Sequence, residues 1–117
     1  MKKILIAEDD QAIADVVKII LEGEGYQTDF ASVERVFLHK ALNSSPHLIL
    51  LDLWLDGGNG GEIAKTLRQD SRTAQIPIII VSANSETEKI ARQVGADDFL
   101  QKPFNLTDLL GKVRQYI

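Results

Sequence analysis

The sequence of 117 residues contains no cysteine. That absence excludes a disulfide scaffold, thiolate metal sites and a cysteine nucleophile. A basic excess is missing as well: 13 Lys and Arg stand against 17 Asp and Glu, for a formal charge of -4. Nothing in this balance suggests a nucleic-acid surface, which normally shows clustered positive charge. Long apolar runs are also lacking. Met1-Lys2-Lys3 is followed only by Ile4 to Ala7 before three acids begin. That is too short for a signal peptide, and no run approaches the roughly 18 residues of a membrane span. What the chain does have is 44% hydrophobic residues, enough at this length for one domain with a real core. The expectation is a small, acidic, cytoplasmic domain over residues 1–117, with no direct nucleic-acid binding and no membrane association.

Apolar runs of four or five residues alternate with segments of helical period. Lys3–Ala7 reads as a strand, followed by Ile13, Val16, Val17, Ile20 and Leu21 at helical spacing up to Gly23. Gln27–Ala31 is a weaker strand, and Ser32 offers a cap for a helix with Val33, Phe37 and Ala41 on one face. Leu48-Ile49-Leu50-Leu51 is wholly apolar, as in strands covered on both faces. After a loop, Ile63, Ala64 and Leu67 form a third helical stripe. Ile78-Ile79-Ile80-Val81 follows Pro77, and Ser85 with Glu88 resembles a capping box for a fourth helix ended by Gly95. Phe99-Leu100 is the core of a fifth strand, and Asn105 caps a last helix. Strands alternating with helices predict an α/β domain, doubly wound around a five-stranded parallel sheet with five helices.

Four of the five strands end on a polar or charged residue: Glu8-Asp9-Asp10, Asp52, Ser82 and Lys102. Ligands of open parallel sheets bind at the rim formed by the carboxyl ends of the strands. With strand order 2-1-3-4-5, the four strands that end on these groups are contiguous. Glu8, Asp9 and Asp52 would repel one another there, and a hard divalent cation such as Mg²⁺ relieves that repulsion. Lys102 adds a point charge for an oxyanion, and Ser82 a hydroxyl. A carboxylate can itself act as a nucleophile and form an aspartyl phosphate. The residues therefore point to metal-assisted phosphoryl transfer onto an aspartate.

Four segments taken together look like the receiver domain of bacterial two-component response regulators. They are Ile4–Asp10, Leu50–Leu53, Ile80–Ala83 and Asp98–Phe104, and the likeness runs through the whole chain in order. The resemblance implies a flavodoxin-like fold in which Asp52 accepts a phosphoryl group from a sensor histidine kinase or histidine phosphotransfer protein. It implies Mg²⁺ held by Glu8, Asp9, Asp52 and the backbone carbonyl of Trp54. Ser82 and Lys102 would contact the phosphoryl group, and Phe99 would turn inward as Ser82 moves. The Lys102–Pro103 bond would be cis. A protein partner would read the face made by the fourth helix, fifth strand and fifth helix. The domain would be a monomer or weak dimer that forms the entire signalling unit. It would be a switch rather than an enzyme, with slow autodephosphorylation.

The pattern departs from the family in places. Asp56 replaces the usual proline and Gly58 an apolar residue, and four glycines between Gly57 and Gly61 should loosen the loop. A phosphate-cradling loop is excluded because no Lys-Ser/Thr pair follows. Trp54, Asp56 and Asn84 are positions expected to modulate the phosphoryl site, with Trp54 a lid against attacking water. Asp10 reads as a helix cap; Asp97 and Asp98 read as solvated turn acids, and His39 and His47 as solvated residues. Gln93 stands where DNA-binding members commonly have glutamate. Two rivals remain at this stage. An aspartate-nucleophile phosphohydrolase would usually carry a second aspartate two positions on, where this chain has Trp54. A phosphorylation-independent interaction module would not need the full set of Glu8, Asp9, Asp52, Ser82 and Lys102.

Overall fold

Extended runs of branched apolar residues cannot satisfy their backbone alone, and here they pair side by side. The computed structural model describes residues 1–55 and 58–117. In chain order the elements are β1 (Lys3–Ala7), α1 (Gln11–Gly23), β2 (Gln27–Ala31), α2 (Glu34–Ser44), β3 (Leu48–Asp52) and β4 (Trp54–Leu55). They continue with β5 (Gly58–Asn59), α3 (Gly60–Gln69), β6 (Ile78–Ser82), α4 (Thr87–Gln93), β7 (Asp98–Gln101) and α5 (Leu106–Tyr116). Among the described residues one five-stranded sheet runs in the order β2-β1-β3-β6-β7, every neighbour parallel. This is the expected 2-1-3-4-5 arrangement, with β6 and β7 as its fourth and fifth strands.

The period-2 alternation of the strands sorts the core into two layers. Ile4, Ile6, Leu48, Leu50, Ile79 and Val81 pack with Val17 and Leu21 of α1 and with Leu109, Leu110 and Val113 of α5. Leu5, Ile49, Leu51, Ile78 and Ile80 face the other way, onto Phe37 of α2, Ile63 and Leu67 of α3, and Ala91 of α4. Both faces of the central strands are thereby covered, which is why β3 and β6 are buried along their whole length. The edge strand β2 is only partly buried, matching its weaker sequence signal.

The element ends show where local sequence decided and where it did not. Asp10 caps α1 as expected, accepting the Ala12 and Ile13 N–H groups at 3.0 and 3.2 Å. That helix ends at Gly23 as expected, and the left-handed turn that follows falls on Gly25 at φ 91. Ser32 does not cap α2: the extended Val33 holds that position without a side-chain bond. Nor does Ser85 form a capping box: Glu86 holds the cap position without a side-chain cap bond, and its N–H donates to Asn84 Oδ1 at 2.8 Å just ahead of the helix. Asn105 caps α5 through the Asp108 N–H at 2.8 Å.

The segment read as a loop after β3 contains a small antiparallel pair, Trp54 opposite Asn59 and Leu55 opposite Gly58. Gly60 and Gly61 are buried in the first turn of α3, where Asn59 caps the helix. The glycines expected to loosen this region, where described, therefore sit in packed elements. The expectations placed on Asp56 and Gly57 lie outside the described residues. No helix among the described residues is long and apolar enough to cross a membrane.

The layering has a direct consequence for stability. Phe37 is fully buried whereas Ile19 of α1 is 73% exposed. We expect Phe37→Ala to lose about 3–5 kcal/mol in urea denaturation, and Ile19→Ala to stay within about 0.5 kcal/mol of the parent.

Candidate functional site

Three strands deliver the charges of the rim. Beyond β1 the chain turns at Glu8-Asp9-Asp10, and the Asp10 N–H donates to Glu8 Oε2 at 3.2 Å as Asp10 itself caps α1. β3 ends on Asp52, whose Oδ1 accepts the Trp54 N–H at 3.0 Å. β7 leads into Lys102, placed by a 2.8 Å hydrogen bond from its own N–H to the Ser82 carbonyl. The structure thus brings Glu8, Asp9 and Asp52 together: one carboxylate oxygen of each lies within 4.8 Å of the others. Glu8 and Asp52 are buried, 8% and 6% exposed, while Asp9 faces solvent.

Lys102 joins the two buried acids. Its Nζ donates to Glu8 Oε1 and to Asp52 Oδ2, each at 2.8 Å. Burial pushes the Glu8 carboxyl above its ordinary value, and the Asp52 charge adds to this; the Lys102 and Asp10 hydrogen bonds oppose it. Burial alone would lower Lys102, but the two carboxylates outweigh it and hold the ammonium above the usual lysine value. The site is therefore an acidic cleft with one cation already drawn into it. Three hard oxygen donors clustered at this spacing suit a small divalent cation.

Close packing fixes where Asp52 stands. A Cβ on Gly60 would lie 2.3 Å from the Asp52 carbonyl oxygen and 2.8 Å from Leu53 Cα. The Gly60 N–H donates to the Leu53 carbonyl at 2.7 Å. Only glycine lets the start of α3 approach the end of β3 this closely. Nothing in the local sequence pattern announces this steric requirement at Gly60.

Ser82 is buried at the end of β6, and its Oγ accepts the Asn84 N–H at 3.0 Å. Trp54 is 58% exposed beside Asp52. Lys102–Pro103 is a cis peptide. Phe99 on β7 is half-buried, with the Lys112 ammonium 5.0 Å from its ring centroid. Asp98 is not the solvated turn acid that the sequence suggested, whereas Asp97 is exposed in its turn but engaged by partners. Asp98 accepts from Lys112 Nζ at 2.7 Å, the Phe99 N–H at 2.8 Å and the Tyr116 hydroxyl at 3.0 Å. Asp97 binds the Arg68 guanidinium and the Ile78 N–H. These pairings join residues distant in sequence, so local patterning could not reveal them. His47 accepts the Lys3 N–H, and His39 lies beside Asn43 on α2, both away from the rim.

Residues 4–114 match the model of the response regulator receiver domain. The chain belongs to that family. Response regulator ArlR of Staphylococcus saprophyticus is 44% identical over 116 residues, which are 97% of this chain and 51% of ArlR. The DNA-binding response regulator MtrA of Mycolicibacterium paratuberculosis is 35% identical over 115 residues, 97% of this chain and 50% of MtrA. The receiver domain also superposes on chemotaxis response regulator CheY4 of Vibrio cholerae with a TM-score of 0.93, at 28% identity. That match covers 100% of this chain and 99% of CheY4. The chain spans about half the length of the curated relatives it matches. Their names correct the expectation of no direct nucleic-acid binding, because MtrA is DNA-binding and a further relative, KdpE of Escherichia coli, is a transcriptional regulatory protein. The physical reason for the error is plain. A net charge of -4 describes the surface of this receiver domain and says nothing of the other half of proteins twice as long.

The Asp98 cluster beside Phe99 can be followed by titration. Burial, the hydrogen bond to Asp98 and the charges of Asp98 and Asp97 push the Tyr116 phenol from 10.0 up to about 12. A folded-state value above the unfolded one stabilises the fold below pH 10, and that contribution is lost as pH rises toward about 12. Absorbance titration of the phenolates should show Tyr116 ionising near 12. In Asp98→Asn that midpoint should fall back toward the ordinary tyrosine value.

Proposed function

We propose that residues 1–117 act as one cytoplasmic receiver domain in which Asp52 accepts a phosphoryl group from a phosphohistidine. The observation that supports this reading is the convergence of three carboxylates and one lysine where β1, β3 and β7 end. Glu8, Asp9, Asp52 and the backbone carbonyl of Trp54 would hold Mg²⁺. When bound, the ion neutralises charge on the transferred group and on the acids around it. The remaining chemistry belongs to the chain's own side chains. An Asp52 carboxylate oxygen forms the new bond to phosphorus as the phosphorus–nitrogen bond to the donor imidazole breaks, the imidazole keeping the electron pair. The Trp54 N–H fixes one Asp52 oxygen and thereby orients the other. Lys102, released from sharing two carboxylates, pairs with the phosphoryl oxygens.

Ser82 then turns its hydroxyl from Asn84 to the phosphoryl group, and Phe99 follows into the space this opens. Such a movement would alter the face formed by α4, β7 and α5, and the output we infer is control of a DNA-binding activity. The transcriptional regulatory protein KdpE and the DNA-binding regulator MtrA, in which the matched segment is about half the chain, support that output. A phosphohydrolase is the weaker reading, because the position that would hold a general acid is Trp54, whose side chain has no proton to give at neutral pH.

Incubation with acetyl phosphate and Mg²⁺, followed by intact mass, should show one phosphoryl group added to the parent and none to Asp52→Asn. A parent that stays unmodified, or a mutant modified equally, would sink the reading. Trp54, exposed beside the acceptor, is in place to hinder attacking water. Trp54→Asn should shorten the phosphoryl half-life on the order of tenfold, as followed by decay of the phosphorylated mass.

A further inference from the structure

We propose that Gln101 is a positioning residue for this site: its side-chain amide holds the Ala83–Asn84 segment, and through it the Ser82 hydroxyl, in the unphosphorylated arrangement. The inference rests on the reading of Asp52 as phosphoacceptor and of Ser82 as the group that moves toward it.

Gln101 lies directly opposite Ser82 in the parallel register of β6 and β7. Its side chain reaches beyond the end of β6, where Nε2 donates to the Ala83 carbonyl at 3.2 Å and to the Asn84 carbonyl at 2.7 Å. Both hydrogens of the amide are thus spent on two consecutive carbonyls of one loop. The Asn84 carbonyl also accepts the Thr87 N–H at 3.2 Å and the Thr87 hydroxyl. Through its own N–H, Asn84 holds Ser82 Oγ at 3.0 Å, and through Oδ1 it holds the Glu86 N–H at 2.8 Å. One residue therefore ties the Ser82 hydroxyl to the first turn of α4, and Gln101 anchors that residue to β7. Ser82 Oγ cannot carry Asn84 toward Asp52 without lengthening the Gln101 bonds.

The sheet itself does not depend on this contact. The ladder beside it is made by backbone groups, including the 2.8 Å bond from the Lys102 N–H to the Ser82 carbonyl. Gln101 is only half-buried, so removing its amide leaves no cavity in either core layer. The side chain acts on the loop, and hence on how readily Ser82 leaves its resting place.

Two variants test this, Gln101→Leu, which deletes the donors, and Gln101→Glu, which sets a carboxylate against the carbonyls. In both, the Glu86 and Thr87 amides should exchange about tenfold faster with deuterium. Phosphorylation by acetyl phosphate with Mg²⁺ should accelerate about threefold or more, since less of the population is held in the resting arrangement. The thermal midpoint should not move, and Ser82→Ala in the Gln101→Leu background should remove the acceleration. Normal phosphorylation of the parent with unchanged exchange and rate in both variants would overturn the proposal and leave the Asp52 reading standing. Faster exchange without phosphorylation of either parent or variant would instead overturn the Asp52 reading, and with it any part for Gln101 in the reaction.

Discussion

Two buried carboxylates on neighbouring strands repel each other, and the Lys102 ammonium between Glu8 and Asp52 is what makes their approach tolerable. The three groups are far apart in sequence, so each holds a different strand end in place. Without the lysine, the desolvation already felt by Glu8 would act on an uncompensated pair. With it, the rim is closed by two ion pairs that share one ammonium. The short turn at Asp10, the close contact of Gly60 with Asp52 and the bond from Lys102 to Ser82 all serve to keep that arrangement in register.

The fold was legible to the extent that side chains announced it locally. β1, β3 and β6 were readable because unbroken apolar runs such as Leu48–Leu51 have few alternatives to burial between two helical layers. The caps at Asp10 and Asn105 were readable for the same local reason. Helix starts were misread at Ser32 and Ser85, where Val33 and Glu86 hold the cap positions without a side-chain bond. The β4–β5 pair escaped notice because two-residue strands are too short for any period to emerge. In the site, the charged residues were visible because a polar residue straight after an apolar run is conspicuous. The contacts of Asp97, Asp98 and Gln101 were not, since each depends on a partner from another element.

The face formed by α4, β7 and α5 lies a few residues, or a single non-covalent contact, from the rim. Ser82 and Asn84 lead into α4, Phe99 and Gln101 lie on β7, and Lys112 reaches from α5 across the Phe99 ring. Only a few residues therefore separate the acidic cleft from that surface. The chain belongs to the receiver family, and the curated relatives it matches are about twice its length.

The placement of Trp54 has an optical consequence. It is the molecule's sole indole, it stands two residues from Asp52, and its ring is largely hydrated. Its emission therefore comes from one location, with no second tryptophan to dilute it. Events at the acidic cleft can be watched in the unlabelled protein, in real time, by light alone.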